Sequence, residues 1–253
     1  MFGVWHIYLG PIGINLGVIF LAFFVLVLAV IQKLRSRRTC FFEISYLLIL
    51  VGFLYFTLHG RILQLVFPIS LPEQPLVDNN LTFNYTLTSL LTFIIFPILL
   101  MKILKSDVSL SRFGLKISNF KQTILYAFFG TVFAVLLFWV SNRFLGFKWV
   151  SGYTADGLLL WVLLVNIVSV FAQTFFFVGV LFNSYSRNEN TILVGIISIL
   201  ALQFFVSASF PWIVINIIGF VAKILVTWKS HNIYGATLMS IATNMLEILL
   251  QII

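Results

Sequence analysis

The side chains with chemistry to offer lie in the C-terminal half of the chain. Gln173 interrupts the apolar run "FAQTFFFVGVLFNSYSR", Gln203 sits near the end of "TILVGIISILALQFF", and Ser240, Asn244 and Glu247 punctuate the last apolar run. Gln173 stands fourteen residues before Arg187, Gln203 twelve after Thr191 and Asn244 thirteen after His231. At about 1.5 Å of helical rise per residue, all three lie about 18–21 Å from one basic boundary. Asn166, Ser169 and Gln173 recur at i, i+3 and i+7, and Ser240, Asn244 and Glu247 at i, i+4 and i+7, so each set lines one helical face. Stripes that face one another enclose a polar pocket. Stripes turned to neighbouring helices simply join them, each amide contributing roughly 0.5–2 kcal/mol. Glu247 fits joining less well, because an ionised carboxylate in hydrocarbon is costly, although its place near the end of the run also brings it towards water.

The reactions open to this set are few. Hydrolysis needs a base that takes a proton from water near neutral pH, and Gln, Ser and Thr do not do so unaided. Neutral amides and a hydroxyl supply no imidazole, thiolate or carboxylate to a metal, so neither a metal nor another cofactor is expected. The histidines are elsewhere: His6 near the N-terminus, His59 at the end of the second apolar run and His231 at the start of the last. No Ser/His/Asp or Cys/His constellation assembles at pocket depth.

The elements that position these residues are membrane helices. Of 253 residues 61% are hydrophobic and 9% charged, against roughly 25% charged in an ordinary globular domain, and mean hydropathy is +1.12. Apolar runs near 8–32, 41–59, 86–104, 122–141, 157–185, 191–208, 210–228 and 235–253 have the length to cross about 30 Å of hydrocarbon. The expected fold is an all-α, polytopic bundle of about eight transmembrane helices, with the first run retained as a helix and not removed as a signal peptide. Lys and Arg cluster at 33–38 and 102–121, with Arg187, Lys223 and Lys229, and leave Arg61, Arg143 and Lys148 on the other side. The positive-inside rule then places the basic loops in the cytoplasm and both termini outside. The formal net charge of +8 therefore reports topology and not nucleic-acid binding. The inner stretch "SDVSLSRFGLKISNFKQ" is expected along the cytoplasmic interface. The single cysteine, Cys40, excludes an internal disulfide. Loop 60–85 is expected outside and carries two glycosylation-type triplets, at Asn80 and Asn84. Gly13 and Gly17 form a Gly-x-x-x-Gly pair suited to helix contact.

The stretches "SRFGLKISNFKQTILYAFFG", "FAQTFFFVGVLFNSYSRN", "TILVGIISILALQFF" and "WKSHNIYGATLMSIATNML" together resemble the CPBP family, the intramembrane CAAX-protease and bacteriocin-processing group. The resemblance covers roughly residues 108–250 and divides the chain into N-terminal helices (1–106) and a CPBP-like core (107–253). That family carries Glu-Glu-x-x-x-Arg-Gly, Phe-x-x-x-His and His-x-x-x-Asn/Asp motifs, whose carboxylate and histidines activate a water for peptide cleavage. Aligned on Gly179, the two glutamates fall on Gln173 and Thr174, the arginine on Val178, the histidines on Gln203 and Ser240, and the last position stays Asn244. The resemblance thus implies a cage without catalytic residues: a pseudo-protease that binds lipid or lipidated peptide, or docks other membrane proteins as a complex subunit. Two alternatives stand beside it. One is an active CAAX-type peptidase whose base has moved to Glu247. The other is a transporter or channel subunit lined by Asn166, Gln173, Gln203 and Asn244, although no inverted repeat or ring of charges accompanies it.

Overall fold

The computed structural model describes residues 6–9, 12–34, 40–58, 86–104, 110–117, 119–145, 167–186, 190–205 and 210–252. Among them are eight long helices: α1 (Leu16–Leu34), α2 (Phe41–Thr57), α3 (86–104), α4 (Phe120–Leu145), α5 (167–185), α6 (Thr191–Phe205), α7 (Phe210–Ser230) and α8 (Tyr234–Ile252). By length and composition, Gly17–Leu34, Thr86–Ile103 and Phe120–Leu137 are each able to cross a membrane, and Phe41–Thr57, Ile167–Asn183 and Thr191–Phe205 are shorter apolar helices. Asparagine side chains cap three of the starts. Asn119 Oδ1 accepts from the Gln122 N–H (3.1 Å) before α4, Asn190 Oδ1 from Ile192 (3.0 Å) and Leu193 (3.3 Å) before α6, and Asn232 Oδ1 from Tyr234 (3.1 Å) and Gly235 (3.3 Å) before α8. These starts share one end of the bundle with Lys33, Lys102, Lys121 and Lys229, called here the basic end.

The expected first helix over 8–32 is corrected at its beginning. A short antiparallel hairpin, β1 (His6–Leu9) with β2 (Ile12–Asn15), precedes α1 and pairs His6 with Asn15 and Tyr8 with Gly13. The sequence between the strands is Gly10-Pro11, a dipeptide that punctuates chains, and the flanking Ile and Tyr favour strands. Gly13 is therefore a strand residue and forms no helical pair with Gly17. Gly17 opens α1 where a Cβ would overlap the Phe204 ring of α6, so its smallness serves contact within the chain.

Two groups of helices have separate cores. In the larger, α1 presents a single stripe, Val18, Leu21, Ala22, Val25 and Ala29, to α2, and Ser45 Oγ of α2 donates to the Ala22 carbonyl (2.8 Å). α3, α5 and α6 complete this core around packed rings: Phe93 lies 5.0 Å from Tyr55, 5.5 Å from Phe176 and 5.3 Å from Phe177, and Phe205 lies 5.5 Å from Phe177. The smaller core joins Ala222 and Val226 of α7 to Met239 of α8, with Tyr126 and Ala134 of α4 against them. α7 also packs on α5 and α6.

The widened turns of α5 set the architecture of the basic end. Thr174–Asn183 is π-helical and every residue in it is buried; α3 has a π-helical stretch at Leu91–Ile95. Against the α5 stretch sits the turn Leu110–Phe113. Phe113 is buried, while Arg112, Lys116 and Ile117 remain exposed. Gly114 adopts φ +75°, a conformation natural to glycine. Gly179 allows the approach, since a Cβ on it would stand 2.8 Å from the Phe113 carbonyl oxygen. Three bonds lock the turn: Asn183 Nδ2 to the Arg112 carbonyl (3.0 Å), the Ile233 N–H to the Gly114 carbonyl (3.1 Å) and the Tyr234 hydroxyl to the Leu115 carbonyl (3.1 Å).

Candidate functional site

Opposite the basic end, the large core carries a seam of hydroxyls and amides between α3 and α5, with Gln203 near the same end of α6. Thr86, Thr88, Ser89 and Thr92 fall in the first turns of α3, and Ser169, Gln173 and Thr174 in the first half of α5. Ser169 Oγ donates to Thr86 Oγ1 (3.3 Å), a direct join between the two helices, and Thr92 Oγ1 turns back to the Thr88 carbonyl of its own helix. Ser89 lies one turn ahead of Phe93, so it borrows the face that α3 turns to the packed rings. The rings form an apolar floor beside the seam.

Several of these polar groups have no protein partner among the described residues. The hydroxyls of Thr88, Ser89 and Thr174 and both ends of the Gln203 carboxamide are buried without a hydrogen bond, as are the hydroxyls of Thr57 at the end of α2 and of Thr227 on α7. Thr88, Ser89 and Thr174 are at most 2% exposed. A buried polar group left unpaired forfeits roughly 1–3 kcal/mol. Three hydroxyls and one amide therefore forgo roughly 4–12 kcal/mol, as much as the net stability of a whole domain. Helix joining does not account for that, because joining consumes donors and acceptors. Gln173 is half-buried beside Thr174 and does have an interaction of its own.

The remaining sequence candidates are distributed as follows. Val178 is fully buried within the π-helical stretch. Ser240 is buried on α8, where its hydroxyl donates to the Ala236 carbonyl one turn back (2.9 Å), and Asn244 is half-buried on the same helix. Because α8 packs chiefly on α4 and α7, these two belong to the smaller helix group, whereas Ser169, Gln173, Thr174 and Gln203 share the larger one. Glu247 lies on α8 with its side chain outside the described residues, and Asn166, His59, Asn80 and Asn84 lie outside them altogether. His231 is exposed in the turn before α8, with φ 56°. No three of His, Cys, Asp and Glu come together among the described residues.

The α3 hydroxyls were not among the candidates read from the sequence. Their signal is present, in "TLTSLLT", where hydroxyls recur at 86, 89 and 92 and at 88 and 92, one helical face each. What the seam can do is set by its chemistry: uncharged donors and acceptors over aromatic rings hold a neutral hydrogen-bonding group. One consequence is measurable without knowing the ligand. Gln203→Leu and Thr174→Val each remove an unpaired buried group, so each is expected to raise unfolding stability in detergent by about 1–2 kcal/mol. A loss of stability from both would show that these groups are paired.

Compared with protein families, with curated proteins and with solved structures, the chain matches none.

Proposed function

We propose that the chain is an eight-span integral membrane protein, its basic end cytoplasmic and both termini outside, which binds a membrane-borne partner and performs no catalysis. The unpaired buried groups of Thr174 and Gln203 carry this reading. They occupy the positions where the resembled CPBP proteases have a glutamate and a histidine, and they retain hydrogen-bonding capacity without a base. The ligand class that suits them is a lipid or lipidated peptide offering an uncharged carbonyl or amide. The membrane placement is supported by the three span-length helices and by large apolar side chains exposed along α4, among them Phe128, Phe129, Phe133 and Trp139.

Purification from the native membrane at endogenous abundance, with mass spectrometry of what co-migrates, tests the proposal. A stoichiometric lipid, peptide or membrane protein is expected, and its retention should fall at least tenfold in the Gln203→Leu chain even as the protein becomes more stable, the trade expected when a site keeps unsatisfied groups for a ligand. A lone chain with no retained molecule, or equal retention by Gln203→Leu, would sink it. Cleavage of a membrane peptide by the unmodified chain that is lost in Glu247→Gln would replace it with the peptidase reading.

A further inference from the structure

The basic end holds a second constellation, distant from the seam. The locked turn at 110–117, the start of α4 and the turn between α7 and α8 are one frame, tied by the Gly114–Ile233 and Leu115–Tyr234 bonds and by Asn232 Nδ2 donating to Thr123 Oγ1 (2.8 Å). From this frame project Arg112, Lys116, Lys121 and Lys229, all exposed. Beside them Phe120 and Trp228 are exposed by 66% and 54%, and the Lys229 ammonium stands 5.1 Å from the Trp228 ring centroid. Of the acidic residues among those described, Glu43 stands at the same end, in the first turn of α2 and engaged with Tyr185 of α5, and Glu247 lies towards the far end of α8. Two helix N-termini, those of α4 and α8, also direct their positive dipole ends here.

We infer that this frame is a binding platform for the phosphate headgroup of an anionic phospholipid in the leaflet at the basic end. Cations on a backbone already held by hydrogen bonds meet an anion without the cost of ordering the main chain, leaving only side-chain ordering to be met. The neighbouring Trp and Phe are the residue types that settle at headgroup level with their rings towards acyl chains. A lipid answers both halves of the surface: phosphate to the cations, chains to the rings. A soluble phosphate answers only the first. Each Lys or Arg near an anionic surface contributes about 1 kcal/mol, a factor of about five, so three of them predict a preference of roughly a hundredfold.

The inference rests on the proposed membrane insertion, which alkaline carbonate extraction of the unmodified chain tests separately: release of the chain into the supernatant would overturn insertion itself. On the full chain in mild detergent, native mass spectrometry is expected to show phosphatidylglycerol retained roughly a hundredfold more tightly than phosphatidylcholine. The Lys116→Gln/Lys121→Gln/Lys229→Gln chain should keep at most about the fivefold preference that Arg112 alone supplies, while Lys116→Arg/Lys121→Arg/Lys229→Arg keeps the full preference. Lys33→Gln/Lys102→Gln, which removes exposed cations from α1 and α3 at the same end, should leave it within twofold. The proposal is overturned if the unmodified chain retains both lipids equally, if the Lys33/Lys102 pair causes the same loss as the triple variant, or if inorganic phosphate at about 10 mM displaces the lipid. Should the glutamine variant fail to fold, the lipid comparison, the arginine chain and phosphate competition decide by themselves.

Discussion

Gly179→Ala is expected to lower the stability of the protein by about 3 kcal/mol, the upper range for overpacking a filled interior, and its unfolding midpoint by roughly 6–12 °C. The added methyl would meet the Phe113 carbonyl at 2.8 Å. That oxygen belongs to a backbone held on both sides, through Arg112 by Asn183 and through Gly114 by Ile233, so it cannot swing aside as a flexible side chain would. Either the turn leaves its seat, exposing the buried Phe113, or α5 shifts and disturbs the ring packing of Phe175 on Phe113 (5.5 Å). Thermal unfolding in detergent measures the loss, and trypsin reports its route, because displacement of the turn should speed cleavage after Arg112 and Lys116. Gly195→Ala supplies the control. There the new methyl meets Phe182 at 3.7 Å, an ordinary contact, and alanine's helix preference makes the change neutral to favourable by up to about 1 kcal/mol. Equal stability of the two variants would mean that Gly179 is not the seat of the turn.

Asn232→Ala should cost more, about 3–5 kcal/mol, the sum of a lost cap and two lost donor bonds at a buried site. Asn232 is fully buried. Its carbonyl oxygen caps α8 through the N–H groups of Tyr234 and Gly235, and its amide nitrogen donates to Thr123 Oγ1 and to the Ser230 carbonyl, each at 2.8 Å. Alanine leaves all four groups without this partner. Thr123→Val removes only the first of the donor bonds, and its hydroxyl otherwise serves the Asn119 carbonyl within the start of α4 (2.8 Å), so about 1 kcal/mol is expected. Because the two residues touch, the double variant should be less destabilised than the sum by about 1 kcal/mol. Strict additivity would show that the Asn232–Thr123 bond contributes nothing.

The eight helices were legible because apolar runs of twenty residues leave the backbone few alternatives to internal hydrogen bonding. The hairpin at 6–15 was not, because its isoleucines and tyrosine merge without a break into the apolar run of α1 and only Gly10-Pro11 marks the change. The Gly13/Gly17 pair was misread for the same reason: spacing has meaning only in the conformation assumed for it. In the candidate site, counting residues placed Gln173 and Gln203 at one height on helices that do pack together. Height leaves direction open, and direction is what assigns Ser240 and Asn244 to the other helix group. The lock on the 110–117 turn was invisible because its bonds join backbone carbonyls to residues 71 and 119 positions away, and no local pattern encodes such a meeting.

That separation has a consequence during synthesis. The ribosome, adding roughly 5–20 residues per second, needs roughly 6–24 s to travel from Leu115 to its partner Tyr234, 119 residues on. Through that interval the nascent chain lacks two of the three bonds that lock its basic turn, since Asn183 is made first and only the emergence of the α7–α8 turn supplies Ile233 and Tyr234. A chain ending between residues 206 and 231 has the helices of the large core but lacks Ile233 and Tyr234, and of the three bonds that lock the turn it keeps only the one from Asn183.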